Sequence, residues 1–166
     1  NLAVHRLKNK QFNLDFVREI IEQAAIVYNS KKSGILELGG GVPKNTAQQT
    51  GPLLDQILRK DHGGQDYIIQ ITDARPDTGG LSGATLQEGK SWGKVQNSHE
   101  DLITVYTDST IAFPLLALYA LSNEEPREPK RIYSNLDKYY NTLQKSSIKV
   151  PDKFTEILKK SDINLD

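Results

Sequence analysis

Glu88, Ser91, Trp92 and Lys94 fall within the string Glu88-Gly89-Lys90-Ser91-Trp92-Gly93-Lys94. A lysine amine becomes a nucleophile at neutral pH only where it is desolvated, and an adjacent Trp face can supply that desolvation. The string also fits a surface lysine whose alkyl stem runs past a packed Trp. Glu88 and Trp92 stand four residues apart, on one face of a short helix predicted over 85–94. A second group of chemistry-bearing positions is Gly39-Gly40-Gly41, followed by Val42-Pro43-Lys44. Glycines there let a ligand approach the backbone and expose N–H groups as an anion nest. The dinucleotide fingerprint GxGxxG is not met, because Lys44 takes the last glycine's place, so a ligand contact and a plain tight turn both remain open. Asp108 is the third candidate, either a helix cap or a carboxylate for a ribose hydroxyl or a ligand amine.

Three apolar runs position these residues: Ile35–Leu38, Tyr67–Thr72 and Leu102–Thr107. Each reads as a strand of a mostly parallel sheet covered on both faces. The glycine triplet, the loop 73–83 and Asp108 follow the three runs directly, and open α/β sheets place their chemistry beyond the carboxyl ends of their strands. Phe16, Val17, Ile20, Ile21, Ala24, Val27 and Tyr28 recur at helical spacing, with Asn13 as the expected cap. A second helix is predicted to start near Asn45 and pass through Leu53, Leu54, Ile57 and Leu58. A third, apolar, runs over 109–121, capped by Asp108 or Ser109 and with Pro114 in its early turns. A charged, proline-broken linker follows Asn123. Ile132, Leu136, Tyr139 and Leu143 then form a helical stripe, and 152–160 reads as a last short helix. The fold class is α/β, a Rossmann-like sheet with helices on both faces.

The 166 residues suffice for one domain with a real core, and Lys+Arg and Asp+Glu balance at 21 each. That balance argues against a nucleic-acid or membrane partner recruited by bulk charge. The absence of cysteine excludes disulfides, thiolate zinc sites and a cysteine nucleophile. The three histidines, His5, His62 and His99, have no metal-ligand spacing, so no metal is expected. No apolar run has the length of a membrane span and residues 1–30 lack a signal-peptide pattern, so the expectation is a cytoplasmic protein. The absence of methionine is read as the mark of a processed or partial polypeptide.

The three strand ends, with Ser82-Gly83-Ala84, Glu88-x-x-Ser91-Trp92-Gly93-Lys94, Val105-Tyr106-x-Asp108-Ser109 and Phe113-Pro114-Leu115-Leu116, resemble the C-terminal half of the deoxyhypusine synthase family. The resemblance is greatest to its bacterial deoxyhypusine synthase-like members and runs from about Ser33 to Leu121. It implies an NAD-dependent transfer of the aminobutyl group of spermidine, through an imine on Lys94, to an acceptor amine. The acceptor would be a lysine of initiation factor 5A or a small diamine such as putrescine, giving homospermidine. The resemblance places Trp92, Glu88, Asn45 and Gln49 around the amine, and Gly39, Gly40, Gly41, Asp73, Ala74, Gly79, Ser82 and Asp108 around NAD. Asn45, Gln49 and Leu81 stand where the eukaryotic enzymes carry histidine, asparagine and aspartate, so a catalytically weak structural or regulatory paralogue is the alternative. The resemblance further implies a homotetramer, an N-terminal half that supplies other contacts, an NAD-binding part over residues 1–122, and a helical tail over 123–166 packing on the domain or a neighbouring subunit.

Overall fold

The structure is a computed structural model that describes residues 2–8, 14–95 and 102–146. After helix α1 (Leu2–Leu7), helix α2 spans Phe16–Tyr28. Its cap is Asp15 rather than Asn13, since the Asp15 carboxylate accepts from the Arg18 N–H at 2.9 Å. Asn13 itself lies outside the described residues, as do His99 and the helix expected over 152–160.

Strands β1 (Gly34–Leu38), β2 (Tyr67–Thr72) and β3 (Leu102–Tyr106) form a parallel sheet in the order β1-β2-β3. The α/β reading therefore holds. In register, Ile35, Ile68 and Leu102 share one face, followed one step on by Glu37, Gln70 and Thr104. Leu36, Ile69 and Ile103, then Leu38, Ile71 and Val105, share the other.

Helix α3 (Val42–Gln48) begins at Val42, three residues before the expected Asn45. Pro43 is the reason: its missing N–H costs nothing in a first turn, so it starts the helix instead of delaying it. The chain continues through a short helix α4 (Thr50–Pro52) into a π-helical turn, Leu53–Ile57. Helix α5 (Leu86–Ser91) opens on a capping box, in which the Thr85 hydroxyl accepts from the Glu88 N–H while the Glu88 carboxylate accepts from the Thr85 N–H. Leu86 of α5 buries against Ile68, Val95, Ile35 and Leu102, which seats α5 on the first sheet face.

Helix α6 (Ser109–Asn123) is capped by Asp108, as one of the two expected caps, with Pro114 inside it. None of its residues is buried. Helix α7 (Leu136–Lys145), entered through a 3-10 turn at Ile132–Asn135, folds back onto α2, where Leu143 joins Ala24, Ala25 and Leu54 in a second core cluster. Among the described residues no helix is long and apolar enough to cross a membrane.

Candidate active site

Lys94 is positioned by glycines distant in sequence. A Cβ on Gly64 would stand 2.2 Å from the Lys94 carbonyl carbon, and one on Gly51 would stand 2.8 Å from the Gly93 oxygen. No side chain fits in such gaps, so only glycine lets these backbones meet. The Gln65 N–H donates to the Lys94 oxygen at 3.0 Å, which pins the segment beside β2. Gly93, at φ +70°, turns the chain out of α5.

The Lys94 side chain is half-buried, and its Nζ donates to Asn45 Oδ1 of α3 at 3.2 Å. A cavity of about 340 Å³ lies between α3 and α5, at the lower end of the range for small-molecule sites. Asn45, Gln48, Leu81, Ala84, Thr85, Glu88, Gly89, Ser91, Trp92 and Lys94 line it. The structure thus brings Lys94, Glu88, Trp92 and Asn45 together. Trp92 caps α5 at the cavity rim and is 65% exposed, so it does not supply the desolvation that the sequence suggested for Lys94. Glu88 gives one oxygen to the capping box. Gln49 is exposed and lies beside this cavity, in a shallow apolar depression with Ile20, Val42, Thr46 and Leu81 that Asn45 also borders.

Beneath the cavity lies a buried polar floor that the sequence reading missed. Glu37 is 5% exposed, and its Oε1 accepts from Gln48 Nε2 at 2.6 Å. Its Oε2 is enclosed without a hydrogen-bond partner. Lys44 Nζ donates to Gln70 Oε1 at 3.1 Å and to the Ala84 oxygen at 2.5 Å. Gln70 Nε2 donates in turn to the Gly39 and Ser82 oxygens, tying the glycine turn to the loop 73–83. Burial raises the Glu37 carboxyl above the ordinary carboxylate range, with Gln48, Lys44 and Lys94 opposing the shift. Burial likewise lowers the Lys44 ammonium, against the pull of Glu37. The available signal was a charged residue inside an apolar strand (Glu37), an amide inside another (Gln70), and a lysine just after a glycine turn.

The residues assigned to NAD lie along one edge of the sheet. Gly39 follows β1, Asp73 and Ala74 follow β2, and Asp108 lies just beyond β3. Gly39, Gly79 and Gly80 have positive φ and nothing within 4 Å of where a Cβ would stand. Gly40 does other work: its Cβ would meet the Ser82 Cα at 2.6 Å, so Gly40 and Ser82 close one loop on the other. Asp108 Oδ1 accepts from the Thr110 N–H and hydroxyl at 2.8 and 2.7 Å. These bonds depress its carboxyl, keep it ionised and leave its other oxygen for a hydroxyl.

A sequence model of the family described as deoxyhypusine synthase matches residues 1–120. A deoxyhypusine synthase-like protein of Nostoc punctiforme is 47% identical over 150 residues, covering 87% of this chain and 38% of the relative. Another, from a Nostoc species, is 43% identical over 161 residues, covering 94% and 42%. A probable deoxyhypusine synthase 2 of Methanosarcina acetivorans is 40% identical over 131 residues, covering 79% and 37%. The chain spans about two fifths of the length of these curated relatives. A family match over most of the chain, close relatives at this identity, and a Lys94 pocket beside a glycine-lined sheet edge agree: this chain belongs to the deoxyhypusine synthase family.

Proposed function

We propose that the chain is the lysine-bearing part of a cytoplasmic, NAD-dependent transferase that moves the aminobutyl group of spermidine to an acceptor amine. The observation that carries this reading is Lys94 Nζ, held by Asn45 in a cavity that also presents Glu88 and Trp92. NAD, which Gly39, Asp73, Gly79 and Asp108 would hold, would supply the hydride chemistry that turns the amine into an imine and reduces the product imine. Lys94 Nζ attacks the resulting imine carbon, a new C–N bond forms, and diaminopropane leaves with its own nitrogen. The acceptor amine attacks the Lys94 imine, and Lys94 leaves as the free amine. Asn45 Oδ1 orients Nζ through these steps, Glu88 pairs with a substrate ammonium, and Trp92 covers the alkyl chain and its cation. The open sheet edge at Gly39, Gly79 and Asp108 supports the NAD assignment.

A lysine of initiation factor 5A and putrescine are the two acceptor classes. The second reading, a weakly active structural or regulatory paralogue, is favoured by neutral Asn45 and apolar Leu81 at the pocket where a base and an acid would stand. The apolar surface of α6, together with the two fifths of the relatives' length that the chain spans, supports assembly with an N-terminal half and into a homotetramer.

Borohydride trapping tests the reading. The full-length assembly is incubated with spermidine and NAD, reduced, and mapped by peptide mass. An aminobutyl adduct on Lys94 is the expected result, absent from Lys94→Arg. An NAD-binding assembly that gives no adduct at Lys94 refutes the transferase reading and leaves the regulatory one.

A further inference from the structure

Gln48 is 3% exposed and sits one turn beyond Lys44 and Asn45, on the face of α3 that meets both β1 and the cavity. Its amide could be turned either way were it not for Glu37. Gln48 Nε2 faces β1, because Glu37 Oε1 accepts from it at 2.6 Å. The amide oxygen is then directed away from the sheet. It lies 3.9 Å from where a Cβ on Gly89 would stand, across the cavity on α5. Among the described residues no hydrogen bond is made to this oxygen, and it is not among the fully enclosed unpaired atoms. A neutral acceptor is thereby offered to the same space as Lys94 Nζ and Glu88.

We propose that Gln48 contacts substrate, its side-chain carbonyl accepting an N–H from the bound di- or polyamine, and that Glu37, buried behind it, is the positioning residue that fixes this orientation. The inference rests on the cavity being an amine site, as argued above. The chemistry matches. Every nitrogen of a polyamine carries N–H groups, and a neutral carbonyl binds one without competing for the ammonium that Glu88 takes. Glu37 itself makes no contact with substrate; it lies inside a strand, with one oxygen bonded to Gln48 and the other unpaired.

The test is calorimetric titration of spermidine into the full-length protein, its Glu37→Gln and Gln48→Leu variants and the double variant, with NAD affinity as a control. Glu37→Gln keeps the shape but can face Gln48 with either end of its amide. The expected loss of spermidine affinity is about tenfold for Gln48→Leu and about threefold for Glu37→Gln, the size of one lost and one loosened hydrogen bond to a charged group. In the Gln48→Leu background the Glu37 change adds nothing, and NAD affinity stays within about twofold throughout. A merely structural role for Glu37 would instead weaken NAD and spermidine together and persist in the double variant, which overturns the proposal. Spermidine affinity unchanged in both single variants also overturns it. Gln48→Ala replaces Gln48→Leu should the leucine not fit. A parent protein that binds NAD but no amine overturns this inference and the transferase reading together, whereas amine binding indifferent to Glu37 and Gln48 overturns this inference alone.

Discussion

One face of the sheet carries Glu37, Gln70 and Thr104 beneath α3 and α5, and Glu37 and Gln70 are buried. The other carries Leu36, Leu38, Ile103 and Val105, each more than a third exposed, and the apolar helix α6 is open along its length, with Leu118 64% exposed. Both faces depart from simple partitioning, the first burying polar groups beside Ile68 and the second exposing apolar ones beside the buried Ile71. Buried polar groups persist where they are hydrogen-bonded and do chemical work, and contiguous exposed apolar surface marks a place where another surface belongs. The first face is thus complete in this chain, with its polar groups spent on holding a pocket. The second leaves apolar strand and helix residues exposed, and α6 is apolar all round as a helix buried in a larger body is.

The largest expected effect comes from the first face. Gly64→Ala forces the Lys94 backbone away, and a displacement on the order of 1 Å should cost about a hundredfold in aminobutyl transfer, read as the rate of adduct formation at Lys94. An unchanged rate would mean that the pocket does not depend on this close approach.

Next comes the second face. Leu118→Asp places a charge on α6 and should dissociate the assembly by roughly 2–4 kcal/mol of interface energy, seen by light scattering as a fall in mass. A mass indifferent to the change would mean that α6 is a free surface, and the comparison would break.

A smaller effect tests the cost of the polar floor. The Glu37 carboxyl is raised in the folded state above its ordinary 4.5, so the folded chain binds its proton more tightly than the unfolded chain does. The burial penalty is therefore full above the folded pKa and relieved as pH falls through it toward 4.5. Glu37→Gln should remove this contribution. The variant's melting temperature should gain on the parent's at neutral pH, and the gain should shrink as pH falls toward 4.5. Lys44 acts in the opposite sense, its penalty full below its lowered folded pKa and relieved as pH rises through it toward 10.5. A parent and variant with parallel pH profiles would show that Glu37 titrates normally.

The smallest is Thr85→Ala, which removes the capping box of α5 at about 1 kcal/mol of stability. The backbone N–H of residue 85 remains and still donates to the Glu88 carboxylate, so only the bond from the Glu88 N–H to the hydroxyl is lost. Melting should fall while spermidine affinity holds. A large loss of affinity instead would assign the box a role in aiming Glu88.

The sequence alone determined the three strands, their parallel α/β arrangement and the amphipathic α2, and narrowed the cap of α6 to Asp108 or Ser109, because hydrophobic periodicity and capping chemistry are local properties. It also marked Lys94, Glu88 and Trp92 by their proximity along one short helix. It placed the start of α3 late, because Pro43 reads as a helix breaker until its first-turn position is known. The tertiary structure decided which residues share the pocket. Lys94 meets Asn45 across 49 positions and Gln48 meets Glu37 across 11, and neither pairing has a local signature. Gln48 rather than Gln49 reaches the cavity because one step along a helix turns a side chain by about 100°. That Gly64 and Gly51 exist to admit the Lys94 backbone follows only from the packing of segments that no periodicity connects.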